Sequence, residues 1–122
     1  MTANKVIDLI EETLASLPER MSGNDANEII AQKLRPILVM DRSALLDALR
    51  ELLAFRVSAD KRVGGDAILE SRIWLALDIA EEHNLNELRP DIESLVHDVR
   101  NGKVLLPVHE KSVARYLQRL NA

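Results

Sequence analysis

The feature that most constrains the fold is a stripe of leucines at helical spacing between residues 43 and 53. Its members recur three and four positions apart and fall on one side of an α-helix: Leu45, Leu46, Leu49, Leu52 and Leu53. Aromatic residues make up only 2% of the chain, so leucine, isoleucine, valine and alanine must form its core. Leucine and alanine favour helices, and no segment is a convincing strand. The sequence therefore predicts an all-α protein.

Helix breakers and capping residues divide the chain into about six helices within one domain, residues 1–122. We expect Pro18 to close the first helix, Asp25 to cap the second, with Glu28 in capping-box spacing, and Asp66 to cap the fourth. Pro36 predicts a kink or a break in the second helix. The predicted helices span about 3–17, 25–40, from Asp41 or Ser43 to 53, 66–84, 87–100 and 108–120.

The second half of the chain contains a candidate internal repeat. A shift of 43 positions superimposes the leucine stripe of the third helix on Leu88, Ile92, Leu95 and Val96 of the fifth. A shift of 40 positions superimposes Ile73, Leu77 and Ala80 on Val113, Leu117 and Leu120. Two helical hairpins would then share one pattern, with a period typical of HEAT and armadillo units. The alternative is an irregular helical bundle.

The segment NELRPDIESLVHDVRNGKVLLPVHEKSVARYLQRL resembles one HEAT-like unit. Its first helix begins with Leu88-Arg89-Pro90, and its second carries the small-residue and leucine pattern of Val113, Ala114, Leu117 and Leu120. The resemblance implies two stacked antiparallel hairpins over residues 43–121, preceded by N-terminal helices over 3–40. Because Leu34-Arg35-Pro36 repeats the same start, the second and third helices could instead form one hairpin.

The only tryptophan, Trp74, lies in a helix whose apolar residues cover an arc of roughly 200°. So wide an arc predicts a central helix, and the arc consists of Ile68, Leu69, Ile73, Leu75, Ala76, Leu77, Ile79 and Ala80. Trp74 falls outside it. The first or second helix could cover this side chain, or it could be a hot spot for a protein partner.

Carboxylates surround Trp74 on the helical wheel and continue along the chain to Asp98, with Arg89 as the only arginine or lysine between Asp78 and Asp98. A solvated surface explains such a run, and so does a site for a basic protein. The candidate partner-binding residues are Glu70, Trp74, Asp78, Glu81, Glu82 and Asp91. Basic residues gather elsewhere, with Lys111, Arg115 and Arg119 forming one stripe on the sixth helix.

Signals for catalysis are missing from the sequence. There is no cysteine, no histidine pair has the spacing of a helical metal site, and no glycine-rich phosphate loop is present. We therefore expect no catalytic, cofactor-binding or metal-binding residues and no enzymatic activity. No segment approaches the roughly 18 apolar residues of a membrane span, and no signal peptide is visible, so we expect a cytoplasmic protein without a membrane partner.

In size, acidity and helical architecture the chain resembles bacterial immunity proteins, which neutralise a cognate toxin. The net charge is −4, and the resemblance implies an acidic surface that covers the basic site of a toxin such as a nuclease. One alternative is an adaptor or chaperone-like module with an apolar groove for a peptide or helix. A less favoured alternative is nucleic-acid binding through the basic stripe of the sixth helix together with Lys61 and Arg62. A homo-oligomer is also compatible with the sequence.

Overall fold

The computed structural model describes residues 2–56, 66–102 and 110–120 of the chain. Within these residues there is no strand, and the prediction of an all-α protein with six helices is confirmed. A short 3-10 turn at Asn86–Leu88 precedes the fifth helix. The helices are α1 (Ala3–Ser16), α2 (Gly23–Met40), α3 (Arg42–Leu53), α4 (Asp66–Glu82), α5 (Arg89–Arg100) and α6 (Glu110–Arg119).

Side-chain caps set where the helices begin. The Oγ of Ser22 accepts a hydrogen bond from the N–H of Asp25 at 3.2 Å, so α2 begins at Gly23. The prediction that Asp25 caps α2 was therefore wrong, because an earlier hydroxyl takes that role. The Oδ1 of Asp41 accepts from the N–H of Ala44 at 3.2 Å, which selects Asp41 as the cap of α3.

Three further details of the helices differ from the sequence-based expectation. Pro36 lies inside α2, which continues to Met40 without a break. α4 ends at Glu82, and Asn84 follows in the left-handed region with φ 51°. Asparagine tolerates this conformation better than most residues, and it lets the N–H of Leu85 return to the carbonyl of Ala80 at 2.9 Å. Asp66, predicted as the cap of α4, is its first helical residue. Lys61, Arg62 and the segment 103–109 lie outside the described residues.

The helices pack in two rows. α1, α3 and α5 lie side by side in one row, and α2, α4 and α6 form the other. α3 contacts α4 across the rows, and α5 contacts α6. α2 contacts both α1 and α3, so the alternative pairing of the second and third helices occurs as a contact. Consecutive helices thus lie in opposite rows, as in a stack of helical hairpins.

Ion pairs show the direction of the helices within a row. Three arginines of the α3 segment meet three carboxylates of the α5 segment in ascending order: Arg42–Glu87, Arg50–Asp91 and Arg56–Asp98. These partners are 45, 41 and 42 residues apart. α3 and α5 therefore run parallel, and the separations bracket the shift of 43 found in the sequence.

The second row is parallel as well. Asn27 and Ala31 of α2 meet Asp78 and His83 at the C-terminal end of α4, again in ascending order. Asp78 and Glu81 meet Tyr116 and Arg119 of α6, each pair 38 residues apart. Two pairs of residues aligned by the sequence shifts are buried alike, since Leu45 and Leu88 are fully buried and so are Ile73 and Val113. Leu77 and Leu117 differ, because Leu117 is only partly buried. The periodic pattern therefore marks positions that face the same interior in successive hairpins.

α4 is the central helix, as its wide apolar arc predicts. It contacts α2, α3 and α6, and five of its residues are fully buried: Ile73, Ala76, Leu77, Ile79 and Ala80. The prediction that Ile68 and Leu69 belong to the buried arc was wrong, because their side chains are 59% and 47% exposed. Residues that face each other on α2 and α4 are about 51 positions apart in the sequence, as Asn27 and Asp78 are. The residue that would face Leu69 therefore lies before the start of α2 at Gly23. For this reason α2 does not cover the first turn of α4.

Candidate functional site: an acidic groove between α2 and α4

A groove of about 380 Å³ runs between α2 and the C-terminal half of α4. Among the residues that the structure describes, its lining consists of four carboxylates, two asparagines and one alanine, with no cation. The residues are Asn24, Asn27, Glu28, Ala31, Asp78, Glu81 and Glu82. The parallel alignment of the two helices creates this acidic groove, because it places Glu28 opposite the last two turns of α4.

Asp78 forms the junction between the three helices of this row. Its Oδ2 accepts a hydrogen bond from Nδ2 of Asn27 at 2.5 Å, and its Oδ1 accepts from the hydroxyl of Tyr116 at 2.6 Å. The half-buried carboxylate thus bonds to α2 on one side and to α6 on the other. Both carboxylate oxygens of Asp78 accept internal hydrogen bonds. Asp78 therefore holds the three helices together as well as adding a negative charge to the acidic groove.

Glu81 also has an internal partner. Its Oε2 lies 3.3 Å from Nη1 of Arg119, and the side chains are 36% and 51% exposed, respectively. The guanidinium of Arg119 lies over the ring of Tyr116, with Cζ 5.7 Å from the ring centroid. This geometry combines an exposed ion pair with a cation–π contact. A guanidinium is therefore already held at the α6 side of Glu81.

The other two carboxylates of the groove have no such neighbour. Glu28 and Glu82 are exposed, and neither makes an ion pair or a side-chain hydrogen bond within the described part of the chain. They lie on opposite walls, one on α2 and one on α4. Among the residues that the structure describes, these two carboxylates of the acidic groove therefore have no cationic partner.

Trp74 lies one helical turn before Asp78 and is half-buried against the core. Its ring centroid is 6.1 Å from that of Tyr116, with the planes inclined at 49°. The helix that supplies this aromatic neighbour is α6, whereas the sequence interpretation expected α1 or α2. Trp74 is thus partly covered and partly accessible, beside the acidic groove rather than in its lining.

Tyr116 is held in its neutral form by the same contacts. Burial raises the pKa of its hydroxyl well above the ordinary value of 10.0, and the hydrogen bond to the Asp78 carboxylate raises it further. The hydroxyl is a donor at neutral pH in any case, and the raised pKa keeps it a donor to Asp78 at alkaline pH as well.

The remaining predicted residues do not join the acidic groove. Glu70 is only 2% exposed and lies in the interior, because it shares a helical stripe with the fully buried Ile73 and Leu77. Asp91 lies in the other row, where its Oδ2 is 3.4 Å from Nε of Arg50. Of the six candidates, the structure brings together Asp78, Glu81 and Glu82, with Trp74 beside them.

Three of the acidic residues between Asp78 and Asp98 form ion pairs between the α3 and α5 segments. Arg42 donates from Nε and Nη2 to both carboxylate oxygens of Glu87, at 2.5 and 2.9 Å. This bond lowers the pKa of Glu87 to about 2. Asp91 and Asp98 pair with Arg50 and Arg56 around a second groove of about 210 Å³. Each of these three carboxylates is therefore already paired with an internal arginine.

Sequence reasoning missed the three polar α2 residues of the groove, namely Asn24, Asn27 and Glu28. Glu28 was assigned to a capping box, and neither asparagine forms part of a recognisable motif. Their role depends on which residues of α4 lie opposite α2. The only sequence signal for it is polarity on the α2 surface, which many solvated helices share.

Searches for other kinds of site and for relatives gave negative results. Among the residues that the structure describes, no group of three or more histidine, aspartate or glutamate side chains is placed to hold a metal ion. In the same residues, no helix is both long and apolar enough to cross a membrane.

Comparison of the chain with known protein families, with curated proteins and with solved structures gave no match.

Proposed function

We propose that this protein is a non-catalytic binding module that recognises a basic surface of another protein through the acidic groove between α2 and α4. The observation that carries the proposal is the pair of exposed carboxylates, Glu28 and Glu82, that line one groove and have no cationic partner among the described residues. An arginine or lysine from a partner would supply the missing counter-charge.

The physical basis is electrostatic complementarity. Carboxylates that already have internal arginines, such as Glu87 and Asp91, offer little to a partner because a new ion pair would only replace an old one. Glu28 and Glu82 would gain charge-assisted hydrogen bonds, which are stronger when a guanidinium binds in a bidentate manner. The net charge of −4 would also attract a basic partner from a distance and raise the association rate.

The narrower form of the proposal is an immunity protein that neutralises a bacterial toxin. It rests on size, acidity and helical architecture. A nuclease binds substrate phosphates with arginine and lysine side chains, and the acidic groove would occupy those same cations. Such a complex would block the nuclease without any chemistry by this chain. Its signature would be stoichiometric inhibition of the toxin that weakens as the salt concentration rises.

A second candidate, an adaptor with an apolar docking surface, draws its support from exposed apolar side chains. Val39 and Met40 are 82% and 79% exposed at the end of α2, and Ile68 and Leu69 are exposed at the start of α4. The two pairs are on parallel helices but at opposite ends, so neither pair extends the other. Binding through either pair would be nearly independent of salt.

The test uses a fluorescein-labelled peptide of alternating arginine and serine, with affinity measured by fluorescence anisotropy at low salt. The variant Glu28→Gln/Glu82→Gln removes both unmatched carboxylates. The control Glu12→Gln/Glu93→Gln removes the same charge from exposed sites on α1 and α5. The proposal predicts a loss of roughly two- to tenfold in affinity for the groove variant relative to the control. Equal affinities for the two variants would refute it.

A further inference from the structure

Arg119 is the one cation of the described residues that contacts a carboxylate of the acidic groove. It approaches Glu81 from α6, with Nη1 and Oε2 3.3 Å apart. The Tyr116 ring lies beneath its guanidinium, and the Tyr116 hydroxyl is bonded to Asp78. The Tyr116 ring and the Glu81 carboxylate thus hold this guanidinium at the α6 side of the acidic groove. An arginine of a partner protein could form the same kind of contact with Glu81.

We propose that Arg119 is a built-in competitor for the acidic groove, which occupies Glu81 and is displaced when a partner's arginine binds. This inference rests on the proposed function, because it assigns a regulating residue to the same site. Arg119 would lower the affinity of the groove for isolated cations. A partner would overcome the competition by contacting Glu28 and Glu82 as well as Glu81.

The geometry fits a contact that opens readily. Both side chains are more than one-third exposed, so water can solvate each of them when they separate. Exposed ion pairs of this kind typically change an equilibrium by only about two- to fivefold. The competitor therefore adjusts the affinity of the groove without closing it.

A simpler role for Arg119 is to stabilise α6, since a cation in the last turn of a helix interacts favourably with the helix dipole. Arg115 provides the matched control. It is exposed on the same helix one turn earlier, and it makes no ion pair or hydrogen bond within the described ranges. Replacing either arginine by glutamine changes the net charge equally, so long-range attraction of a basic peptide increases in both variants.

The experiment measures the affinity of the arginine–serine peptide for Arg119→Gln and Arg115→Gln by anisotropy. We expect Arg119→Gln to bind roughly two- to fivefold more tightly than Arg115→Gln. In a Glu81→Gln background the difference should disappear, because Arg119 then has no groove carboxylate to occupy. Equal affinities of the two arginine variants would overturn the inference, and so would a difference that persists in the Glu81→Gln background.

The groove variant of the previous section separates the two proposals. If Glu28→Gln/Glu82→Gln binds as tightly as its control, the acidic groove is not the site and both proposals fail. If it weakens binding while the two arginine variants are equal, only the competitor role of Arg119 is refuted. Thermal unfolding of each variant verifies that α6 remains folded.

Discussion

Asp78 connects α2, α4 and α6, so its removal should destabilise the protein more than removal of any other carboxylate of the acidic groove. Asp78→Ala deletes the acceptor for the Asn27 amide and for the Tyr116 hydroxyl. A hydrogen bond to a charged group contributes roughly 1.5–3 kcal/mol. Asp78 and Tyr116 are only half-buried, so water can replace part of each bond. We therefore expect a cost of about 2–3 kcal/mol for Asp78→Ala.

The two bonds can be separated by a second variant. Tyr116→Phe removes only the hydroxyl and should cost about 1 kcal/mol. In a double-mutant cycle, Asp78→Ala and Tyr116→Phe should then show a coupling energy of about 1 kcal/mol. Glu82→Ala is the control, because it lies on the same helix, is exposed and has no internal partner in the described chain. It should change stability by less than about 0.5 kcal/mol.

The assay is urea unfolding followed by the fluorescence of Trp74, the only tryptophan, whose ring centroid lies 6.1 Å from that of Tyr116. A cost of 2–3 kcal/mol is a large fraction of the roughly 5–15 kcal/mol that stabilises a typical domain, so the transition midpoint should move clearly. If Asp78→Ala unfolds at the same urea concentration as Glu82→Ala, the junction described here does not hold the row together.

Three further outcomes follow from the structure. Leu49→Ala should lower the free energy of unfolding by about 2–5 kcal/mol in the same urea assay, because Leu49 is fully buried; a loss below about 1 kcal/mol would contradict its burial. The pKa of Glu87 falls to about 2 in the folded state, so its pairing with Arg42 stabilises the protein above the ordinary carboxylate pKa and less as pH falls towards 2. The difference in stability between wild type and Glu87→Gln should therefore shrink in acid, and a constant difference would refute this. Because the pKa of Tyr116 is raised, its contribution should be intact below pH 10 and decrease at higher pH; tyrosinate absorbance should appear only with unfolding, and its appearance near pH 10 in the folded protein would refute this.

The periodic apolar pattern predicted most of the architecture. The stripe of α3 and its counterpart in α5 mark the positions that face the interior, since residues such as Leu45 and Leu88 are equally buried. Patterns of this kind are reliable because every turn of a packed helix must bury the same side. The central position of α4 follows from the same reasoning, as a helix apolar on most sides must be covered on most sides.

The errors occur where the neighbouring helix decides the outcome. A helical wheel places Glu70 beside Trp74, but it also places Glu70 on the stripe of Ile73 and Leu77, and packing buried that stripe. Ser22 rather than Asp25 caps α2; both residue types are good caps, and the sequence offers the two candidates three residues apart. Local sequence preferences do not decide which side of a helix is buried, because that depends on the helices packed against it.

The candidate site was only partly predictable for the same reason. Asp78, Glu81 and Glu82 are close in sequence and lie on one helix, so their proximity follows from helical spacing. Glu28 is 50 or more residues away from all three, and it joins them only because α2 and α4 run parallel. Asp91 appeared to continue the acidic surface, yet α3 supplies Arg50 to neutralise it.

The most direct test of the acidic groove is a titration of the isotope-labelled protein with the arginine–serine peptide, followed by two-dimensional NMR. Chemical shifts report the site itself, independently of affinity. The account predicts that the largest changes occur at the side-chain amides of Asn24 and Asn27, at the backbone amides of Glu28 and Glu82, and at the indole of Trp74. Changes centred on α3 and α5, or equally small changes across all helices, would show that the groove between α2 and α4 is not a binding site.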